Sequence, residues 1–578
     1  MTVTERDSLL KNTAATGGGD LRNGHAPPRH LGPLELSPQT RQRILIGIWL
    51  AQFLSALNLT LVPTMLPSIS SDFNRSNQAS WLGTSYLLAT CTFTPLYGRL
   101  CNAMGRRGAN QSAALFAAAG ILACGLSTSM KMLIVSRFIS GIGGGGIFTT
   151  SAIITSDMYN LRTRGFVQSI GGIFYGLGMG LGGPVGGLIT DWLGWRWAFL
   201  MQIPLFALSL ALTTCNLRYV TPGKKGSTME ILKRIDYGGS LTILCGVGSM
   251  LYFLSTRYNE ARPWTDPHVY TPLAVSLLSL PLFLLIETRL ALEPVLAPAL
   301  LTQKVPLLVG GSNALVAVCN LSVTYFFPVW FQTVMLSSAS TAGLHLLPNS
   351  ICISMGSLFA GYVMRRTGRY KTLNLTFGTL PLLGALLFTQ MHEHSSPAHL
   401  WLSIIPLGFG NAVVLQTMYI ALVAHLPEHQ MAIGTGFAQL LRGLGQVGGL
   451  AAASALFQSR LDVELHKRIR GAGAEETINH IRHSARLVST LPPALQRAAR
   501  DAYAASLWAV FVLAAGASLG AFLLRLWIPD KDLTAPQETE VQTESCSSSV
   551  CGGAESGYES DDEGKGGYAG NSVNSVRR

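Results

Sequence analysis

The chain is poor in charge. Of its 578 residues only 12% are Asp, Glu, Lys or Arg, about half the share found in soluble domains. Those charges lie between apolar blocks of about 20 residues, the length that crosses a bilayer, which excludes a soluble globular class. Acids are scarcest of all inside the blocks. None lies near the middle of one, and Asp157, Asp236 and Glu287 sit near block ends. Proton coupling usually calls for a titratable group within the membrane, and its usual acidic form is missing. Cysteine is sparse too: nine residues, mostly in or beside apolar runs, with no C-x-x-C. They read as small buried apolar residues rather than a disulfide or zinc framework. The chain has no Walker loop, H-E-x-x-H, G-x-S-x-G or metal-ligand cluster, so no cofactor, no metal and no enzymatic activity are expected.

Fourteen apolar runs are present, among them 79–98 and 110–129. Backbone polar groups cannot stay unpaired in lipid, so runs of this length are expected to be helices. The fold class is therefore an all-α membrane protein. Basic residues crowd alternate loops, as in Arg99, Arg106 and Arg107, or Arg365, Arg366, Arg369 and Lys371. That bias makes those loops cytoplasmic and, with an even span count, places both termini there. It also accounts for the net charge of +12 better than nucleic-acid binding, since no basic-aromatic surface pattern accompanies it. Residues 1–43 and 528–578 are polar and expected to be disordered, and the first of these offers no cleavable leader. Within it Glu5, Leu9 and Leu10 match an acidic dileucine sorting signal, which an adaptor could read; a chance match in a polar tail is the alternative. Residues 457–504 form a long loop expected on the non-cytoplasmic side.

Several segments carry residues of functional interest. Gly98, Arg99, Asn102, Gly105, Arg106 and Arg107 belong to one decapeptide between two spans. Its glycines permit a tight turn, and its arginines suit carboxylates, helix C-termini or lipid phosphates. The stretch 361–370 echoes its glycine spacing and basic character, which suggests an internal repeat. Arg137 is a cation inside a span, costly unless it faces protein or a water-filled cavity; snorkelling to the surface is the alternative. The glycines around it include G-x-G-x-x-G, but inside a span this means close helix packing, not a dinucleotide site. A second glycine-rich helix holds Gly178, Gly182, Gly183, Pro184, Gly186 and Gly187, read as a bending helix that seals one side of a pathway. Gln52 and Asn58 share a face of the first span. With Tyr325, Gln332 and Gln416 in the second half, they are candidates to line a cavity or to hold helices together. His345 is read as a packed or interfacial histidine more readily than a proton relay.

The decapeptide is similar to the loop signature of the major facilitator superfamily, G-x-L-x-D-x-x-G-R-R/K, with Asn102 at the acidic position. Further segments, including Trp81–Leu88, Ser156 and Asp157 followed by Arg162 and Arg164, Gly194–Phe199 and Tyr325–Gln332, resemble its fourteen-span drug:H⁺ antiporter branch, most closely fungal vacuolar basic amino acid transporters. The resemblance implies a major facilitator fold of 14 helices: two six-helix bundles, 44–216 and 306–527, flanking an insertion and linkers at 217–305. It implies alternating access for a small-molecule substrate, an amino acid or a drug-like cation. Transport of basic amino acids into the vacuole in exchange for protons heads these readings. A plasma-membrane multidrug exporter comes second and a non-transporting sensor third. The branch usually has an acid where this chain has Asn58, so a cationic substrate or proton loses its usual counter-charge there.

Overall fold

The computed structural model describes residues 36–531, apart from 76–77, 160, 219–235, 261, 291–297, 427–430, 471–473, 484–487 and 489. Glu5, Leu9 and Leu10 lie outside the described residues, as do the side chains of Asn102, Arg162 and Arg164.

The first helix, α1, spans Pro38–Asp72. It starts upstream of the apolar run because Ser37 caps it, accepting a hydrogen bond from the Thr40 amide, and Pro38 occupies the first turn. That pair is a strong start signal, since proline loses nothing where no intrahelical partner exists. Four more helices complete the bulk of the first half: α2 (Trp81–Ala103), α3 (Gly105–Gly125), α4 (Met130–Met158) and α5 (Leu161–Trp192). A short turn of helix at Trp195–Leu200 leads into α6 (Ile203–Asn216). Here α1 packs on α5 and α6, while α4 packs on α2 and α3.

The inserted pair is α7 (Tyr237–Leu254) and α8 (Pro267–Leu285), packed on each other. Leu277, Leu278 and Leu280 of α8 are more than 60% exposed, which suits a lipid-facing helix at the periphery. A π-helical turn at Ser255–Asn259 ends α7.

The second half comprises α9 (Lys304–Thr333), α10 (Ala339–Leu344), α11 (Leu347–Thr367), α12 (Leu380–Thr389), α13 (Ile404–His425), α14 (Met431–Arg468), α15 (Ala474–His483) and α16 (Pro493–Leu526), with short helical pieces at Lys371–Phe377 and Pro397–Leu402 that continue into α12 and α13 to complete their spans. It repeats the packing of the first, with α9 on α14 and α16, and α11 on α13. Much of the segment 457–504 is helical, because α14 runs on to Arg468, α15 follows, and α16 begins at Pro493.

Among the described residues, twelve helices are long and apolar enough to cross a membrane. The expected count of fourteen is not reached on this measure. The two helices that fall short are α2 and α3, of 23 and 21 residues. They are long enough, but Thr84, Ser85, Thr90, Thr92, Thr94 and Pro95 dilute the apolar content of α2, and Arg106, Arg107, Asn110 and Gln111 that of α3, and both are covered by α4. Their junction contains Gly105, whose φ of +77° turns the chain from α2 into α3. The echoing loop turns on Gly368, with φ of +65°. Only glycine adopts this region without penalty, so the echo in sequence is an echo in backbone geometry.

Candidate functional site

Three sequence candidates meet where the two halves touch. Arg137 of α4 is 1% exposed. Its Nε donates to the Leu82 carbonyl at 3.0 Å, and Nη2 donates to the Asn58 carbonyl at 3.4 Å. Its guanidinium carbon lies 4.4 Å from the centre of the Tyr86 ring. Among the described residues it has no ion-pair partner, and its Nη1 is buried without a hydrogen bond. Carbonyl dipoles and the ring face therefore offset the cost of burying this cation. Asn58 of α1 donates from Nδ2 to the Leu54 carbonyl at 2.9 Å and to Gln202 Oε1 at 2.7 Å, leaving Oδ1 buried and unpaired. Tyr325 comes from α9, in the other half. Its ring lies against Gly83, where an added Cβ would stand 2.5 Å from the hydroxyl. That hydroxyl is also buried without a partner. Tyr325 further lines a cavity with Ser70, Ser454, Gln458, Arg482 and Tyr503.

The remaining candidates are not gathered here. Gln332 donates to the Thr64 carbonyl at 3.3 Å, joining α9 to α1. Gln52 is half-buried beside Gly171 and the stacked pair Trp49 and Phe174. Gln416 donates to Ser357 Oγ at 2.8 Å within the second half. His345 is stacked between Phe331 and Trp401, with centroids 4.0 and 4.1 Å away, and its Nδ1 is 2.8 Å from the Thr341 carbonyl. Sequence reasoning missed Gln202 as the partner of Asn58, and missed Gly83 and Tyr86 as individuals, although both lie in the Trp81–Leu88 segment. It also missed Arg525, a 1% exposed cation near the end of α16 that donates to the Gly378 carbonyl at 3.0 Å.

At the membrane end bearing residues 98–107, here called the basic end, Arg106 Nε bonds Asp157 Oδ2 at 2.8 Å and Nη1 donates to the Cys101 carbonyl at 3.0 Å. The arginine thus ties the α2–α3 turn to the end of α4. Arg107 is exposed, and Gly98 has only the Thr149 methyl, at 3.9 Å, near its missing Cβ.

The glycines of α5 form two rows. Gly178, Gly182 and Gly186 face α1, against Leu57, Thr60 and Leu61. Gly176, Gly180, Gly183 and Gly187 face the second half. A Cβ on Gly187 would meet the Ala339 carbonyl at 2.6 Å, and one on Gly183 the Gly343 carbonyl at 3.0 Å, so backbones touch at this level. Pro184 lies at the same crossing, its nitrogen 2.8 Å from where a Cβ on Gly343 would stand. Asp191 Oδ2 accepts from the amide and hydroxyl of Ser340 just beyond. Toward the basic end, contact passes to serine side chains, Ser350 and Ser354, and at Gly172 only Ser357 Oγ remains, 3.6 Å away. The helices are sealed at the far end and diverge toward the basic end.

Comparison with known proteins accords with this geometry. The profile described as Major Facilitator Superfamily matches residues 48–450. The chain is 35% identical over 489 residues to multidrug resistance protein fnx1 of Schizosaccharomyces pombe, covering 84% of this chain and 92% of that protein. It is 30% identical over 499 residues to the vacuolar membrane amino acid uptake transporter fnx2 of the same organism, covering 85% of each. A bacterial homologue of the human lysosomal transporter Spinster, solved inward-facing and occupied, superposes with a TM-score of 0.55 at 16% identity, over 85% of this chain and 97% of that one; this bears on the fold alone. These proteins are transporters rather than enzymes. The paired halves, the sealed far end and the whole-length relatives together place this chain in the major facilitator superfamily, as an integral membrane transporter of small molecules.

Proposed function

We infer that the protein is an alternating-access carrier that moves amino acids across the vacuolar membrane, from the cytoplasm into the lumen. The observation that carries this is the seam itself. Tyr325 of one half packs against Gly83 of the other, next to the Leu82 carbonyl that holds Arg137, and Arg137 in turn reaches the Asn58 carbonyl; each of the three holds a buried polar atom without a partner. Unpaired polar groups are costly to bury, and a bound zwitterion able to accept and donate hydrogen bonds would satisfy them. The vacuolar uptake relative supports the location and substrate class. On this reading the basic end is cytoplasmic, in keeping with its arginines, and the divergence of α5 and α11 opens the pathway to the cytoplasm. Exchange for protons is part of the proposal and rests on the family resemblance.

The test is uptake of labelled amino acids by vacuolar vesicles under an imposed pH gradient. Uptake above that of vesicles lacking the protein is expected; equal uptake refutes the reading. A second reading, efflux of drug-like molecules at the plasma membrane, draws on the relative named for multidrug resistance. Drug sensitivity on deletion, with tagged protein at the cell rim, would favour it.

A further inference from the structure

The long helix α14 carries three polar residues that the sites above leave unused: Gln439, Arg442 and Gln446. Their spacing, three and then four residues, puts them on one face. The neighbouring faces are taken. Leu441, Gly445 and Gly449 pack on α9, against Gly310, Ala314 and Val318. Leu440 and Gly443 pack on α2, against Cys91, whose thiol lies 3.8 Å from the Leu440 carbonyl. The polar face therefore looks into the angle between α9 and α2, the line where the two halves meet. Gly448, on the opposite side, has no atom within 4 Å of its missing Cβ.

On α9 the same ordering holds. Gly310, Ala314 and Val318 meet α14, while Gly311 and Leu315 meet α16. Asn313 and Asn320, seven residues apart, fall on the flank that borders the same angle. Asn313 is 8% exposed and its Oδ1 is buried without a hydrogen bond. Its level is fixed by the contacts Gly310–Leu441 and Ala314–Gly445, which bracket Arg442. Arg442 is half-buried and has no hydrogen-bond or ion-pair partner among the described residues. A cation inside a span faces protein partners or a water-filled cavity, and here partners are missing. Nor does any described carboxylate stand nearby at this depth. The acids of the spanning helices, such as Asp72, Asp157, Asp191, Glu287, Asp462 and Asp501, lie in their outer parts.

We propose that Arg442, flanked by Asn313 and Gln446, is the subsite that takes a substrate carboxylate. The substrate class is then carboxylate-bearing molecules of neutral or negative net charge, and cations lacking a carboxylate are rejected. The planar guanidinium presents two parallel N–H donors that match a carboxylate, and the amides add single hydrogen bonds beside it. Arg137 and Arg442, with no described acid facing them, disfavour a bare cation beside them. The inference deepens the amino acid reading and narrows it, away from basic toward neutral and acidic amino acids.

The experiment uses the purified full-length chain in proteoliposomes, with paired probes: leucine and isoamylamine, lysine and cadaverine, and glutamate. Leucine and glutamate are expected to enter; isoamylamine, cadaverine and, through its net positive charge, lysine are not. Arg442→Gln is expected to cut leucine uptake about tenfold or more, the usual weight of a charge-assisted pair, with Arg442→Lys in between. Thermal stabilisation of the detergent-purified native chain by the same pairs reads binding without transport and without a variant that must fold. Stabilisation by leucine but not by isoamylamine supports the subsite. Amines that enter or stabilise as well as their parent amino acids overturn it, while leaving amino acid transport standing. No uptake of any amino acid would remove the transport reading instead; the stabilisation pairs still decide the subsite, and no difference between carboxylate and amine counts against it.

Discussion

At the scale of single residues, the seam depends on absences as much as on groups. Gly83 leaves room for the Tyr325 ring, with 2.5 Å between the hydroxyl and where a Cβ would be. Gly83→Ala is expected to displace the ring and lower uptake about tenfold, at a stability cost of about 1–3 kcal/mol, the usual range for overpacking; uptake assays and thermal melts on the same preparation check both. Unchanged uptake would show that the ring need not sit there. Asn58 stands where the branch usually has an acid, and its amide holds Leu54 and Gln202. An aspartate there cannot donate those bonds and brings a titratable group beside Arg137. Asn58→Asp is therefore expected to make uptake vary with pH by about threefold or more across the carboxylate range, where the native chain stays flatter. Matching profiles for the two would take position 58 out of the pathway. The candidates themselves were legible in the sequence, because a cation and an amide in apolar runs are conspicuous. Their partners were not. Gln202 lies 144 positions from Asn58 and Asp157 lies 51 from Arg106, and such pairings exist only once the helices pack.

Whole elements were easier to read than their edges. Apolar runs marked the helices, but α1 begins at a Ser37–Pro38 signal that hydropathy ignores, and α14 and α16 extend as polar, amphipathic helix into what looked like a loop. The two rows of glycine on α5 could be seen as glycine density; which row faces which partner depends on rotation about the helix axis, and only packing fixes that. The start of α16 is secured by charge. Glu393, in the turn before residues 397–402, bonds Arg497 at 2.6 Å and Arg500 at 2.8 Å, and its side chain is 16% exposed. The Arg497 hydrogen bond, ahead of the charge of Arg500, holds the Glu393 carboxyl below its ordinary value. A carboxyl so depressed contributes stability above the ordinary carboxylate range and loses it as pH falls through the depressed value. Glu393→Gln is expected to lower stability by about 1 kcal/mol at neutral pH, the upper range for exposed pairs, and to match the native chain once acid has protonated Glu393. Melting curves of both proteins from neutral to acidic pH test this, and a gap that persists in acid would mean that lost packing, not charge, is responsible.

For the molecule as a whole, the question is which end must open. The halves touch backbone to backbone at Gly183, Gly187, Ala339 and Gly343, and Asp191 caps this contact through Ser340. The inserted pair adds a strap at the same end: Trp81 Nε1 donates to Ser255 Oγ at 2.9 Å, Asn259 Nδ2 to Ser80 Oγ at 3.1 Å, and Arg482 to the Asn259 carbonyl at 3.3 Å. The π-helical turn Ser255–Asn259 thus holds α2 of one half and α15 of the other. If the two halves rock about the central seam, the backbone contacts must part and the strap must let go of α2 or of α15 for the far side to open, and the Arg106–Asp157 end must close in turn. Asp191→Cys with Ser340→Cys puts two thiols where a carboxylate and a hydroxyl now touch, and a disulfide there would fix the far end shut. Oxidation of the double variant is expected to abolish uptake, reduction to restore it, and each single variant to remain active through both treatments. Transport that continues through the oxidised double variant would mean that substrate leaves by another route. The rigid-body exchange inferred from the paired halves would then have to give way to a smaller, local gate near Tyr325.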